Sequence, residues 1–149
     1  MSASPVTADR LERALACWRA ASPGTMMEHL PLSLAGCRPE TNTALLRFDP
    51  MPGWMSNTFG AMHGGLVATL LDSAMGLHAF AATGDEHTPT VDLQVSYLRP
   101  TPLGAPLVAE SQMVHQGRSL IFIRATLRAE GDDRPCATAS GTYFNAGQK

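Results

Sequence analysis

The chain is poor in cysteine and carries no concentrated positive charge. Its 149 residues include three cysteines, Cys17, Cys37 and Cys136, which are widely spaced and form no CxxC pair. This pattern excludes a disulfide framework and favours a reducing, cytoplasmic compartment. The net charge is −2 and no block of Lys or Arg is present, so we expect no nucleic-acid partner.

Uninterrupted apolar runs are also missing. Residues 1–21 interleave charged and apolar side chains, which is unlike a signal peptide. The longest apolar stretch, residues 64–83, is interrupted by polar residues that include Asp72 and His78. A membrane span needs roughly eighteen or more apolar residues in a row, so we expect no membrane partner.

The sequence lacks the motifs of several common enzyme classes. It contains no GxSxG, no GxxxxGK(S/T), no HExxH and no GxGxxG. Its five histidines show no metal-ligand spacing with the cysteines, so we expect no metal site.

The chain length fits one domain, residues 1–149, and two helices are predicted in it. Residues 7–21 have apolar side chains at helical spacing behind Thr7 as N-cap, and a turn follows up to residue 24. We expect this short helix on the outside of the fold or near a subunit contact. Residues 64–83 predict a long central helix ending at Gly84, and its nearly all-round apolar surface is typical of a buried helix.

Six segments carry strand signals, and the period changes to two after the central helix. The predicted strands are residues 30–37, 43–48, 90–97, 105–115, 119–129 and 136–144. Tight turns between consecutive strands make them antiparallel. The sequence therefore predicts an α+β fold, in which a curved antiparallel sheet of about six strands wraps around the central helix.

The irregular segment between residues 49 and 62 is unusually rich in large apolar side chains. They are Met51, Trp54, Met55, Phe59 and Met62. Such residues either cover the core or line a ligand pocket, and the sequence leaves both interpretations open.

The motif N-x5-HGG-x6-D, formed by Asn57, His63, Gly64, Gly65 and Asp72, carries the chemistry. The helix begins at the two glycines, where unpaired N–H groups and partial positive charge suit an acyl oxyanion. Asp72 lies about two turns, roughly 10 Å, beyond Gly65. A carbonyl held at the Gly64 N–H cannot reach Asp72 of the same helix. The spacing therefore predicts a site shared by two subunits across a two-fold axis.

Each of these side chains also has a structural interpretation. Asp72 could be a buried carboxylate bonded to the backbone, and His63 could cap or brace the loop. Asn57 could simply fix a turn.

The motif, together with the strand TVDLQVSYLRP and the turn QGRS, resembles the PaaI-like (phenylacetate-pathway) group of hotdog-fold acyl-CoA thioesterases. The resemblance covers roughly residues 45–144. It implies an antiparallel sheet wrapped around a central helix, in subunits that pair into dimers and often into tetramers.

The resemblance also implies roles for individual residues. Asp72 matches the catalytic carboxylate, and Gly64 matches the backbone donor to the thioester oxygen. Asn57 and His63 match residues that position or polarise the thioester and water, and Thr90 matches a hydroxyl that holds the water. The expected substrate and CoA contacts are Gly65, Met62, Phe59, Arg99, Arg118 and Ser119.

We therefore expect hydrolysis of an aromatic or medium-chain acyl-CoA to the free acid and CoA. No cofactor is expected, because CoA belongs to the substrate. Asp72 would act as general base or as nucleophile, and the sequence does not separate the two. The alternatives are a hotdog hydratase or dehydratase acting on acyl thioesters, and a non-catalytic acyl-CoA-binding domain.

Overall fold

The computed structural model describes residues 5–84 and 86–146. Its helices are α1 (Ala8–Ala21) and α2 (Gly64–Thr83). Its strands are β1 (Leu32–Arg38), β2 (Thr43–Phe48), β3 (Thr90–Tyr97), β4 (Leu107–Gln116), β5 (Leu120–Ala129) and β6 (Ala137–Phe144). Short 3-10 turns occur at Met26–His29, Pro39–Thr41 and Gly53–Met55.

The strands form one antiparallel sheet in the order β1-β2-β4-β5-β6-β3. The central helix α2 packs against β3, β4, β5 and β6. Along β6 the residues alternate between buried and less buried, and Gly141 and Tyr143 belong to the buried set. The predicted hotdog arrangement, a curved sheet around a long central helix with a short N-terminal helix, is confirmed.

Two strands start two residues later than predicted because of proline, while the other strand bounds agree with the prediction to within one residue. The first strand begins at Leu32 rather than at residue 30, and the fourth at Leu107 rather than at residue 105. Pro31 and Pro106 come directly before these starts. A proline has no N–H to donate to a neighbouring strand, so the ladder begins after it.

Helix α2 is buried, as its composition predicts. Buried residues occur along most of its length, and Gly84 ends it at φ 83°, a left-handed conformation that favours glycine. The helix has the length and apolarity of a membrane span, but 67% of that stretch is buried inside the protein. The core helix of a globular fold has the same properties, so this match is weak evidence for a membrane.

Helix α1 covers the outer side of α2. Thr7 caps it, since its Oγ1 accepts a hydrogen bond from the Arg10 N–H at 3.4 Å. Leu11 and Leu15 are buried, and the Trp18 ring packs against Phe80 with 6.3 Å between ring centroids. This agrees with the expected position on the outside of the fold.

A buried histidine connects α2 to the sheet. His78 is fully buried, and its Nδ1 lies 3.0 Å from Ser111 Oγ on β4. Its Nε2 lies 3.4 Å from Asn42 Oδ1, which also accepts a bond from the Val6 N–H. Since that oxygen can only accept, Nε2 carries the proton and Nδ1 accepts from Ser111. Both nitrogens of a neutral ring are thus satisfied.

We predict that His78 makes the protein less stable below neutral pH. Burial lowers the pKa of His78 from its ordinary value of 6.5 to about 4. Between these values the unfolded chain binds a proton that the folded chain does not, so stability falls as pH falls. The free energy of unfolding should drop by about 2 kcal/mol from pH 7.5 to pH 5 through this residue.

Urea unfolding at both pH values measures the effect. The variant His78→Gln should be less stable at neutral pH but should lose most of this pH dependence, whereas His115→Gln, at an exposed position, should keep it. An equal pH dependence in wild type and His78→Gln would contradict the prediction.

Candidate active site

The Asp72 carboxylate is bonded to two hydroxyl groups from the sheet. Thr90 Oγ1 on β3 donates to Asp72 Oδ1 at 3.0 Å, and the Tyr143 hydroxyl on β6 donates to the same oxygen at 2.9 Å. The side chain is half-buried. Its second oxygen, Oδ2, has no hydrogen-bond partner among the described residues. Asp72 therefore differs from the structural alternative considered above, in which backbone groups would satisfy it.

An irregularity in β3 turns Thr90 toward Asp72. Strict alternation would place Thr90 on the opposite face from Leu93 and Val95. The register shifts between Thr90 and Asp92, and this brings Thr90 opposite Tyr143 of β6. A bulge of this kind adds one residue and re-aims the side chains beyond it. As a result both hydroxyls lie beside the same carboxylate.

Tyr143 is a site residue that the sequence analysis missed. It is fully buried. Burial, then the nearby charge of Asp72 and the hydrogen bond to it, raise the pKa of Tyr143 far above its usual range. The hydroxyl therefore remains a proton donor. In the sequence, a tyrosine at an inward position of an alternating strand indicates only a core residue.

The start of α2 presents one unused backbone donor. His63 is the N-cap, and its Nδ1 accepts a hydrogen bond from the Gly65 N–H at 3.1 Å. The backbone carbonyl of Gly64 accepts a hydrogen bond from the Tyr97 hydroxyl at 2.7 Å. The Gly64 N–H has no acceptor among the described residues. His63 thus caps the helix, which is one of the two roles considered for it, and the Gly64 N–H is left without an acceptor among the residues described.

Asn57 holds the loop before the helix. Its Oδ1 accepts hydrogen bonds from the Phe59 N–H at 2.9 Å and the Ala61 N–H at 3.2 Å. These bonds orient the amide, so its Nδ2 is directed elsewhere and has no acceptor among the described residues. The turn-fixing interpretation of Asn57 is confirmed, and one polar group of the side chain is left over.

A cleft of about 550 Å³ lies beside the start of α2. Five of the predicted site residues line it: Asn57, Phe59, Met62, Gly64 and Arg99. Tyr97, which the sequence analysis did not single out, is also part of its wall. Both interpretations of the apolar loop are therefore partly correct. Met51, Met55 and Met62 are buried in the core, whereas Trp54 and Phe59 are exposed by 70% and 92%.

Arg99 is largely engaged within its own chain. Its guanidinium donates to the backbone carbonyls of Pro135 and Arg134, and Nη1 lies 3.4 Å from Asp132 Oδ2. These contacts join the end of β3 to the turn between β5 and β6, which weakens the case for Arg99 as a phosphate ligand.

Arg118 and Ser119 lie in the exposed turn between β4 and β5 and do not line the cleft. The Asn145 N–H donates to the Ser119 carbonyl at 2.8 Å, and Asn145 Nδ2 donates to the Gly117 carbonyl at 2.9 Å. The neighbouring Phe144 N–H donates to the carbonyl of Pro89, next to Thr90. The turn therefore belongs to the Asp72 end of the molecule.

The candidate residues of one chain thus form two separate groups. The first consists of Gly64, Asn57 and the cleft, and the second of Asp72, Thr90 and Tyr143. Asp72 lies eight positions after Gly64 along the helix, which corresponds to about 12 Å. Within the described residues no three His, Cys, Asp or Glu side chains are arranged as metal ligands, and the expected absence of a metal stays a prediction.

Comparison with known proteins identifies the family. Residues 59–136 match the model of the thioesterase superfamily, and this match covers more than half of the chain. The chain belongs to the thioesterase superfamily. The matched part includes the start of α2, Asp72 and Thr90, so the thioesterase-superfamily domain contains residues of both groups.

Three proteins similar to this thioesterase-superfamily chain have the following identity and coverage. Human acyl-coenzyme A thioesterase 13 is 31% identical over 72 residues, 48% of this chain and 51% of that protein, so the match spans about half of that relative. The medium/long-chain acyl-CoA thioesterase YigI of Salmonella typhimurium is 31% identical over 135 residues, 78% of this chain and 86% of that protein. The structure of a mutant phenylacetic acid degradation protein PaaI from Thermus thermophilus has 25% identity and a TM-score of 0.67, covering 80% of this chain and 96% of that one.

We predict that the oxygen of Asn57 stabilises the thioesterase-superfamily fold. Asn57→Ala removes the acceptor of two backbone N–H groups and should lower the free energy of unfolding by about 1–2 kcal/mol. Asn57→Asp keeps an oxygen at that position and should be within about 0.5 kcal/mol of wild type. Urea unfolding at pH 7.5 measures both. If Asn57→Ala were as stable as wild type, these bonds would not hold the loop.

Proposed function

We propose that this protein hydrolyses acyl-CoA thioesters to the free acid and CoA. The observation that carries the proposal is at Gly64, whose N–H has no acceptor among the described residues and which lines a cleft partly walled by apolar side chains. A helix N-terminus carries partial positive charge and stabilises the oxyanion that forms when a thioester carbonyl is attacked. Asn57 lines the same cleft, and its Nδ2 is a second candidate donor.

We propose that a complete site combines Gly64 of one subunit with Asp72 of another. Strand β3 is at an edge of the sheet and pairs only with β6 among the described residues. Exposed edges of this kind readily pair with a second chain. Near that edge Val91, Tyr97 and Leu98 are 54–58% exposed.

Antiparallel pairing of two β3 edges about a two-fold axis has a specific consequence. Thr90, which contacts Asp72, begins the strand, and Tyr97, which contacts Gly64, ends it. The Thr90 end of one copy would therefore lie beside the Tyr97 end of the other. This pairing supports a dimer with two equivalent sites, each built from both chains.

In the proposed reaction the thioester oxygen accepts hydrogen bonds from the Gly64 N–H and Asn57 Nδ2. Asp72 of the other subunit takes a proton from water through Oδ2, and the water oxygen bonds to the carbonyl carbon. The carbonyl then re-forms as the carbon–sulfur bond breaks, and the departing CoA thiolate takes the proton that Asp72 accepted from water. Direct attack by Asp72 Oδ2, giving a mixed anhydride that water hydrolyses, uses the same contacts. No cofactor takes part beyond the CoA of the substrate.

The acyl group that we propose is aromatic or medium-chain. Phe59, Met62 and Val67 give the cleft wall an apolar character, and Met adapts to differently shaped partners. The named activity of YigI, on medium- and long-chain acyl-CoA, supports the aliphatic alternative. For the CoA phosphates we propose Arg118, because it is exposed and belongs to the Asp72 end.

We predict that Asp72→Asn abolishes most thioester hydrolysis. The amide keeps the shape of the side chain but cannot accept a proton from water, so kcat should fall by about 10²–10⁴-fold. Release of free thiol from a panel of aromatic and aliphatic acyl-CoAs measures the rate. Asp133→Asn, at an exposed turn position, is the matched control and should keep the wild-type rate.

Three results would oppose the proposal. Wild-type thiol release by Asp72→Asn would exclude Asp72 as base or nucleophile. Hydration of enoyl thioesters without thiol release would favour the hydratase alternative. Binding of acyl-CoA without turnover across the whole panel would favour a non-catalytic domain.

We predict that two inactive variants restore activity when they are combined. Asp72→Asn damages one half of the proposed site, and Asn57→Asp removes the amide donor from the other half. In a mixed dimer one of the two sites would contain both wild-type halves. An equal mixture, unfolded and refolded together, should regain about a quarter of the wild-type rate if subunits pair at random.

Each variant refolded alone is the control and should remain inactive. If both variants are inactive alone and the mixture shows no recovery although mixed dimers have formed, the two halves of each site belong to the same chain.

A further inference from the structure

The two donors to Asp72 are not equivalent. Thr90 is exposed at the start of the edge strand, whereas Tyr143 is 0% exposed. No water competes for the buried Tyr143 hydroxyl, whereas the surroundings of Thr90 change if its edge strand pairs with a second chain. The bond from Tyr143 is therefore the one that does not depend on pairing. Tyr143 therefore has the stronger influence on where the carboxylate points.

The Tyr143 ring has little freedom to move. A Cβ atom built on Gly141 would lie 2.8 Å from Tyr143 Cε2 and 2.9 Å from its hydroxyl oxygen. The ring thus occupies the space that any larger residue at position 141 would need. On the other edge of the ring, a Cβ on Gly76 of α2 would lie 3.7 Å from Cε1, which is an ordinary contact. The ring is enclosed by β6 on one side and α2 on the other.

We propose that Tyr143 is a positioning residue that holds Oδ1 of Asp72 and so leaves Oδ2 as the oxygen that faces the reacting water. Both hydroxyls donate to Oδ1, and Oδ2 has no partner among the described residues. The Tyr143 hydroxyl also lies 3.3 Å from the Asp72 backbone carbonyl oxygen, a longer contact than the one to Oδ1. A carboxylate that rotated about its Cβ–Cγ bond would present either oxygen, at varying angles. The Tyr143 hydroxyl, which reaches Asp72 from the protein interior, suppresses this rotation. The inference rests on the proposed function, because it assigns Tyr143 a role through Asp72.

The test is Tyr143→Phe, which removes the hydroxyl and keeps the ring. We expect kcat for thiol release to fall by about 10–100-fold, the range for losing a hydrogen bond to a charged group. KM should stay within about twofold, because the side chain of Tyr143 is fully buried and cannot be reached by a substrate. The thermal unfolding midpoint should show that the variant is folded at the assay temperature.

A double-mutant comparison separates positioning from a general structural effect. If Tyr143 acts through Asp72, then Tyr143→Phe should change the residual single-turnover rate of Asp72→Asn by less than about twofold. A wild-type kcat for Tyr143→Phe would overturn the inference. So would an equal fractional loss in the wild-type and Asp72→Asn backgrounds.

These outcomes are distinct from failure of the proposed function. A wild-type rate of thiol release by Asp72→Asn would show that Asp72 is not the base. If Asp72→Asn is inactive and Tyr143→Phe is fully active, the proposed function stands and only the positioning role of Tyr143 is rejected.

Two glycines provide an independent check on the ring position. Gly141→Ala would push against the Tyr143 ring and hydroxyl and should lower kcat, but it should add little loss to Tyr143→Phe. Gly76→Ala contacts the same ring only at ordinary distance and should keep kcat within about twofold of wild type. Equal kcat values for Gly141→Ala and wild type, with both folded, would contradict the proposed dependence on ring position.

Discussion

Asp72 accepts hydrogen bonds from hydroxyls on β3 and β6, and these contacts tie the central helix to one edge of the sheet. The half-buried Asp72 carboxylate loses part of its hydration, and hydrogen bonds to the charged form offset that loss. Two donors can reach one oxygen only if β3 lies beside β6 with both strands against α2. The two hydrogen bonds to Asp72 therefore depend on how this half of the fold is arranged, including the bulge that turns Thr90 inward.

The N-terminal end of α2 presents backbone N–H groups that no helical carbonyl can accept from. His63 satisfies the Gly65 N–H, and the Gly64 N–H remains available beside the cleft. Because an α-helix is rigid, the Gly64 N–H and the Asp72 carboxylate of one chain cannot approach each other. The exposed edge of β3 carries contacts to both groups, Thr90 at its start and Tyr97 at its end. The proposed site therefore takes its second half from another copy of the chain.

Most of the fold was predictable because its signals are local. The change from an all-round apolar helix to alternating strands appears in the residue pattern, and β2 and β3 begin and end at the predicted residues. Errors occurred where a local rule was overlooked, as at Pro31 and Pro106. The sequence did not show which residues of the apolar loop are buried, because a large apolar residue covers the core at Met55 and another is exposed at Phe59. Burial of a loop residue depends on what packs over it, and composition does not contain that information.

The sequence by itself determined that a buried helix begins at paired glycines behind a histidine and that one carboxylate lies inside it, since these features depend on neighbours within a few positions. Only the tertiary structure decided which groups meet that carboxylate. Tyr143 lies 71 positions from Asp72 along the chain, and in the sequence it has the appearance of a core residue. Thr90 would face away from the helix if its strand alternated regularly. Its direction is decided by one bulge, which exists only through pairing with β6, because inserting one residue into a strand inverts the face of every side chain beyond it.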